Sequence, residues 1–174
     1  DSWQWSNDGP VRFADNKDGE RIDARRTPTY SGHAKVTTHS VQPTASDNEP
    51  LTEHERLSAK LLHTPSGKTV LDFGANIAGV LQFTVQAKAG QRIRLRFGEM
   101  FDKSGEFTQK NVKVSNAKIT SPLQQVDYVC KAGRNDYKTA FAIFGFQYVL
   151  VESETPVDPA DFTAIAVYTD MERT

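Results

Sequence analysis

A single cysteine, Cys130, rules out an internal disulfide, so packing and hydrogen bonding have to hold the fold. Within the strand-like run VDYVCKA, it reads as a small buried hydrophobe rather than a nucleophile. Neither sign of charge is in surplus. The 174-residue chain carries 21 basic and 22 acidic side chains, a formal net charge of −1, which gives no footprint for nucleic acid or an anionic membrane. No apolar run is long enough to span a bilayer, and there is no Asn-x-Ser/Thr glycan acceptor. Nucleophile-elbow and zinc-binding spacings are also missing. His33 and His39 have no third ligand nearby and read as solvated surface. The opening residues carry no leader pattern, which decides nothing about compartment. A periplasmic or extracellular setting is favoured over a cytoplasmic one.

What is present belongs to a globular domain: 37% hydrophobic and 25% charged residues. The length predicts one domain over residues 1–174, large enough to bury a core without staples. Residues 70–100 organise it. Leu81, Phe83, Val85 and Ala87 alternate with Gln82, Thr84 and Gln86, and Ile93, Leu95 and Phe97 alternate with three arginines. Period-two alternation marks strands with one face on a core and one in water. Gly74-Ala75-Asn76 predicts a tight turn between strands, and Ala89-Gly90-Gln91 a hairpin.

Elsewhere the signals are shorter. Residues 31–50 read as loop, with an edge strand near 35–38. In residues 51–62, a capping box at Thr52–Glu55 and the four-residue spacing of Leu57 and Leu61 predict a short helix, with an extended reading as the alternative. Residues 132–136 predict a hairpin loop and 137–143 a strand. The nearly continuous apolar run at 146–152 predicts a central strand covered on both faces. Roughly eight short strands between turn signals read as an all-β fold, a jelly-roll-like sandwich of antiparallel strands.

Trp3 and Trp5 face the same way in an extended segment, as a sugar-stacking platform or, the commoner use, as cover for a core or neighbour. Asp15, Asn16, Asp18, Glu20 and Asp23 surround Gly19. Such hard oxygen ligands can hold Ca²⁺, but the spacing is not that of an EF-hand, and an Asx-rich turn needs no metal.

Three segments together carry a family resemblance: VLDFGANIAG, then AKAGQRIRLRFGEMFDKSGEFTQKN, then QVDYVCKAGRNDYKTAFAIFGFQYVLVE. They resemble the β-sandwich module that precedes the catalytic domain in bacterial α-L-rhamnosidases, the family 78 glycoside hydrolases. Asp18-Gly19-Glu20 with Asp23-Ala24-Arg25 is similar to that family's opening D/N-G-E…D-A-R motif. YTDMERT, at 168–174, resembles its exit into the linker before an (α/α)6 catalytic barrel. The resemblance covers most of the chain and is weakest over residues 27–65. Two positions depart from it: Ala75 stands where the family usually has Gln, and Gln147 where it usually has Arg.

The resemblance implies a non-catalytic accessory domain whose partner is the catalytic domain of the same polypeptide, acting on terminal L-rhamnose. Phe101, Phe107 and the Arg92, Arg94 and Arg96 face are the expected contacts. The alternative it implies is a Ca²⁺-dependent module that binds L-rhamnose. That would place a sugar site at Asp18, Glu20, Asp72 and Asn76 with Tyr30 as the stacking ring, and Ca²⁺ on Asp18 and Asp72. The residues favour the bland reading for Asp72 and Asn76, a carboxylate and an amide that hold a turn. Autonomous hydrolysis would require two flanking carboxylates. Glu99, Asp102 and Glu106 are close in sequence but read as ordinary turn acids.

Overall fold

The computed structural model describes residues 2–38, 40–115 and 120–170. His39 and the 171–174 part of the predicted exit segment lie outside the described residues. Ten strands among the described residues join one strongly curled sheet. They are β1 (Val11–Asp15), β2 (Gly19–Asp23), β3 (Leu51–Ser58), β4 (Lys60–His63), β5 (Thr69–Ala87), β6 (Arg92–Gly98), β7 (Gln125–Val129), β8 (Gly133–Lys138), β9 (Phe144–Ser153) and β10 (Phe162–Thr169). Their order is β1-β2-β7-β6-β9-β5-β10-β3, with β4 and β8 also paired to β5. β2 and β7 run parallel, while the other ladders of this sheet are antiparallel. The all-β sandwich reading holds.

The sheet becomes two layers because β5 is nineteen residues long and changes partners along its length. Its first part, Thr69 to Asp72, lies between β4 and β9. Its later part pairs with β10 and β8. The core fills the space between. Phe83, on the later part, meets Tyr128 of β7 edge-to-face at 5.1 Å and Phe162 of β10 at 5.8 Å. Phe97 stacks at 4.5 Å on Phe144 and at 5.0 Å on Phe146. Such edge and tilted contacts suit the ring quadrupole, and each buried ring contributes about 2–3 kcal/mol by leaving water. Cys130 is buried in the same core, where desolvation pushes its thiol pKa up.

Four sequence expectations need correction. Residues 51–62 are not a helix but β3 and β4. Leu57 packs against the core and His54 stacks on Tyr168 of β10 at 3.6 Å, so cross-strand pairing overrides the helical spacing. Gly74 to Asn76 do not turn the chain back. Between the pairs Asp72↔Tyr148 and Ile77↔Phe146, four residues of β5 face Gln147 alone. The segment is therefore a wide bulge inside one strand, with Gly74 at φ +78° supplying the left-handed residue. Residues 133–136, expected as a hairpin loop, join 137–138 in β8, and 139–143 leave the sheet, where the strand was expected to continue. In place of a strand at 35–38, Gly32–His33 pairs with Gln4–Trp5.

Candidate functional site

The outer face of β2, β7, β6 and β9 carries the densest chemistry. Inward residues of these strands, Ile22, Tyr128, Ile93 and Val151, fill the core, so period two sends their neighbours outward. The register aligns Arg21, Asp127, Arg94 and Glu152 in one row across four strands. Opposite charges that face each other across adjacent strands stabilise a sheet by roughly 0.2–1 kcal/mol per pair. Arg94 Nε donates to Asp127 Oδ1 at 2.5 Å, and Arg96 reaches Glu152 at 3.2 Å. The Asp127 contact raises the Arg94 pKa. Asp23 is gripped from both sides by Arg25, Nε to Oδ1 and Nη2 to Oδ2, each at 2.8 Å. That hydrogen bonding lowers the Asp23 pKa to about 2. Arg21, Asp23, Arg25, Arg94, Asp127 and Glu152 line an open groove of about 990 Å³.

The sequence-predicted site residues are dispersed around the fold. Asp18 sits at the turn into β2, where its Oδ1 accepts from Ser121 Oγ and the Leu123 backbone N–H. Glu20 is buried, 1% exposed. Its Oε1 accepts the backbone N–H groups of Ala140, Phe141 and Ala142 at 3.0, 2.7 and 3.1 Å, and its Oε2 accepts from the Tyr137 hydroxyl. This carboxylate faces inward and holds the 139–143 segment out of the sheet. Asp72 Oδ1 accepts from Gly74 N at 2.8 Å and from Gln147 Nε2 at 3.0 Å. Asp72 therefore fastens the bulge, while Asn76 lies exposed upon it. Of the two departures from the family pattern, Ala75 lies within this bulge and Gln147 is the β9 residue opposite it. Tyr30 is exposed in the loop before the Gly32–His33 pair.

Asp18 and Asp72 are not brought together. β7, β6 and β9 intervene between β2 and β5, four strand spacings or about 19 Å along the sheet. Ca²⁺ ligands lie about 2.3–2.6 Å from the ion, so one Ca²⁺ cannot take both carboxylates. Among the described residues no group of three or more His, Cys, Asp or Glu side chains converges on a metal position. The 15–18 loop is an Asx turn: Asp15 Oδ1 accepts from the N–H groups of Lys17 and Asp18, which lowers the Asp15 pKa.

The turn acids after β6 are likewise occupied. Glu99 accepts from Asn111 Nδ2, Asp102 accepts from Ser104 and from Glu106 N, and Glu106 accepts from Ser66. Phe101 and Phe107 fold back on the sheet instead of standing free. Phe101 packs at 4.6 Å on Tyr148, and the Phe107 ring lies so close over Gly98 that a methyl there would meet it at 2.8 Å. A second, apolar hollow of about 430 Å³ opens beside Glu20, lined by Val11, Ala24, Tyr128, Tyr137 and Phe141. Desolvation moves the Tyr128 hydroxyl up to about 12 and raises that of Tyr137 as well.

Arg21, Asp127, Glu152 and Asn135 were not singled out as functional or fold-holding from the sequence. Asp127 aligns with Arg21, more than a hundred residues away, a pairing that no local window of sequence contains.

Comparison with known proteins gives a consistent picture. The family model described as "Bacterial alpha-L-rhamnosidase concanavalin-like domain" matches residues 62–168. An α-L-rhamnosidase of Alteromonas sp. (strain LOR) is 30% identical over 90% of this chain and 18% of its own length. The crystal structure of native α-L-rhamnosidase from Aspergillus terreus superposes with a TM-score of 0.75 at 28% identity, covering 95% of this chain and 20% of that one. The Streptomyces avermitilis α-L-rhamnosidase structure complexed with L-rhamnose gives 0.76 at 25% identity, covering 93% and 16%. The chain thus spans about a fifth or less of these relatives.

Proposed function

The chain belongs to the bacterial α-L-rhamnosidase concanavalin-like domain family, and on that premise we propose that it is an accessory β-sandwich domain. It rests on the catalytic domain of the same polypeptide and supports removal of terminal L-rhamnose. The observation that carries this reading is coverage: nearly the whole chain matches each relative, yet fills only 16–20% of it. Two features of the fold support it. The carboxylates of Glu99, Asp102 and Glu106 are spent on turn and loop contacts, which suits a structural role better than acid–base work. Phe141 and Val11 stay 50% and 41% exposed at the rim of the apolar hollow, a surface suited to a neighbouring domain.

The test pairs this 174-residue chain with the separately produced catalytic domain from the same gene. A complex by calorimetry, together with a raised unfolding temperature of the catalytic domain, is the expected result. Failure to associate would reject the reading. Hydrolysis of an aryl α-L-rhamnoside by the chain alone would reject it as well, by placing the chemistry here.

A further inference from the structure

Every carboxylate in the outer groove is committed, and two of its guanidinium groups are not. Asp127 is shared by Arg94 and the Gln125 amide, Glu152 by Arg96 and Arg94, and Asp23 by Arg25 and Arg26. Glu154 turns its carboxylate to the backbone N–H of Arg92, not to the guanidinium. Arg12 is paired with Asp8. Among the described residues that leaves Arg92 with no acceptor for its side chain, and Arg21 with only the Phe13 ring, 5.0 Å below its guanidinium carbon. A guanidinium stacked on a ring keeps its in-plane N–H edge free, which is the geometry that grips a carboxylate. By strand spacing and rise, the two unpaired arginines stand about 12 Å apart along the diagonal of the groove.

We propose that this groove binds a carboxylate-bearing oligosaccharide, with Arg21 and Arg92 each taking an acid group of the ligand and the Arg94–Asp127–Glu152 ladder meeting its hydroxyls. The chemistry of the lining selects this occupant. A protein partner would bury the face behind an apolar centre depleted of charge, and would strip water from several ion pairs. Here apolar side chains are a minority of the lining, and both signs of charge alternate across it. Hydroxyls donate and accept, so a hydrated sugar can satisfy both signs at once. The acidic requirement comes from the two unpaired arginines, in a lining of five arginines and four carboxylates. The inference rests on the accessory-domain reading only in taking a saccharide as the ligand.

The experiment is calorimetric titration of the 174-residue chain with tetragalacturonate, and with the same oligomer methyl-esterified so that its carboxylates are capped. Binding of the acid form, weakened by added salt and abolished by esterification, is expected. Arg21→Gln and Arg92→Gln should each weaken it roughly tenfold, the loss expected when one charge-assisted contact goes. Neither guanidinium holds a protein acceptor among the described residues, so Arg92→Gln should unfold at the parental temperature and Arg21→Gln, which gives up only the Phe13 ring, slightly below it. No binding, equal binding of the ester, or unchanged affinity in the double variant would overturn the proposal. Loss of the catalytic-domain complex with the titration intact would instead remove the accessory reading and leave this site standing.

Discussion

Tyr137 donates its hydroxyl to Glu20, across 117 residues of chain, and the same carboxylate caps three successive backbone N–H groups at Ala140 to Ala142. The pair ties β2, near the edge of one layer, to the segment that leaves β8 in the other. Replacing Glu20 by Ala strands four donors in a buried place, at about 1–3 kcal/mol each before relaxation. We expect Glu20→Ala to lower the unfolding free energy by about 3 kcal/mol or more, and Tyr137→Phe by about 1–2. Urea unfolding of the two variants measures this, and equal, small losses would show that the carboxylate is not the anchor.

Asn135 is a second buried knot. Its Oδ1 accepts from Lys131 N and the Tyr128 hydroxyl, while its Nδ2 donates to the carbonyls of Lys131 and Gly133. An aspartate would keep the acceptors and turn a second acceptor toward two carbonyls. Asn135→Asp should therefore destabilise at neutral pH by at least as much as Asn135→Ala, about 2–3 kcal/mol, and regain part of the loss as the pH falls and the new carboxyl protonates. Thermal unfolding at two pH values checks the order.

Gly79 is required by packing, not by backbone angle. A Cβ there would meet the Ile165 carbonyl oxygen at 2.3 Å, which forces β5 and β10 apart. Gly79→Ala should cost more than about 2 kcal/mol or prevent accumulation of folded chain. By contrast a methyl at Gly67 meets nothing within 4 Å, although its φ of +80° adds strain. Gly67→Ala should remain folded, with a smaller loss by the same urea assay.

Acid should weaken the fold in a definite window. Asp23 and Asp136 are both held at about 2, below their ordinary 3.8, first of all by hydrogen bonds from Arg25 and Arg134. A carboxylate with a depressed folded pKa contributes stability that is present in full above the unfolded value and is lost as pH falls through the folded one. Stability should therefore decline from about pH 4 to about pH 2. Asp23→Asn should show a shallower decline in denaturant midpoint over that range, and an unchanged slope would exclude Asp23 from the effect.

Much of the fold was legible because most strands keep one face dry. Leu81/Phe83/Val85 and Ile93/Leu95/Phe97 alternate in sequence and all six side chains are buried. The continuous run at 146–152 does lie between two strands, β5 and β6. The errors arise where local signals are ambiguous. Gly and Asn at 74–76 mark a bulge as readily as a hairpin, and only the register with β9 separates the two. Residues 139–143 have strand-like composition, but the carboxylate that captures their N–H groups belongs to Glu20, which no local window includes. The same limit applies to the groove. Its arginines at 92 and 94 were visible, with Arg96, as one polar strand face, whereas their acidic partners and the unpaired Arg21 come from strands remote in sequence. Trp3 and Trp5, visible as a pair, remain 80% and 48% exposed.

One strand, β5, serves as a wall common to both layers, pairing at different points with β4, β9, β10 and β8. Neither layer can come apart while the other stays whole, because opening either one unseats the same strand. The sandwich should therefore lose structure as a single cooperative unit, with no half-melted state between. Amide exchange reports on this: Leu71 and Phe83, at opposite ends of the shared strand, should exchange only through the same global opening, and a large difference in their protection would show that the two layers separate.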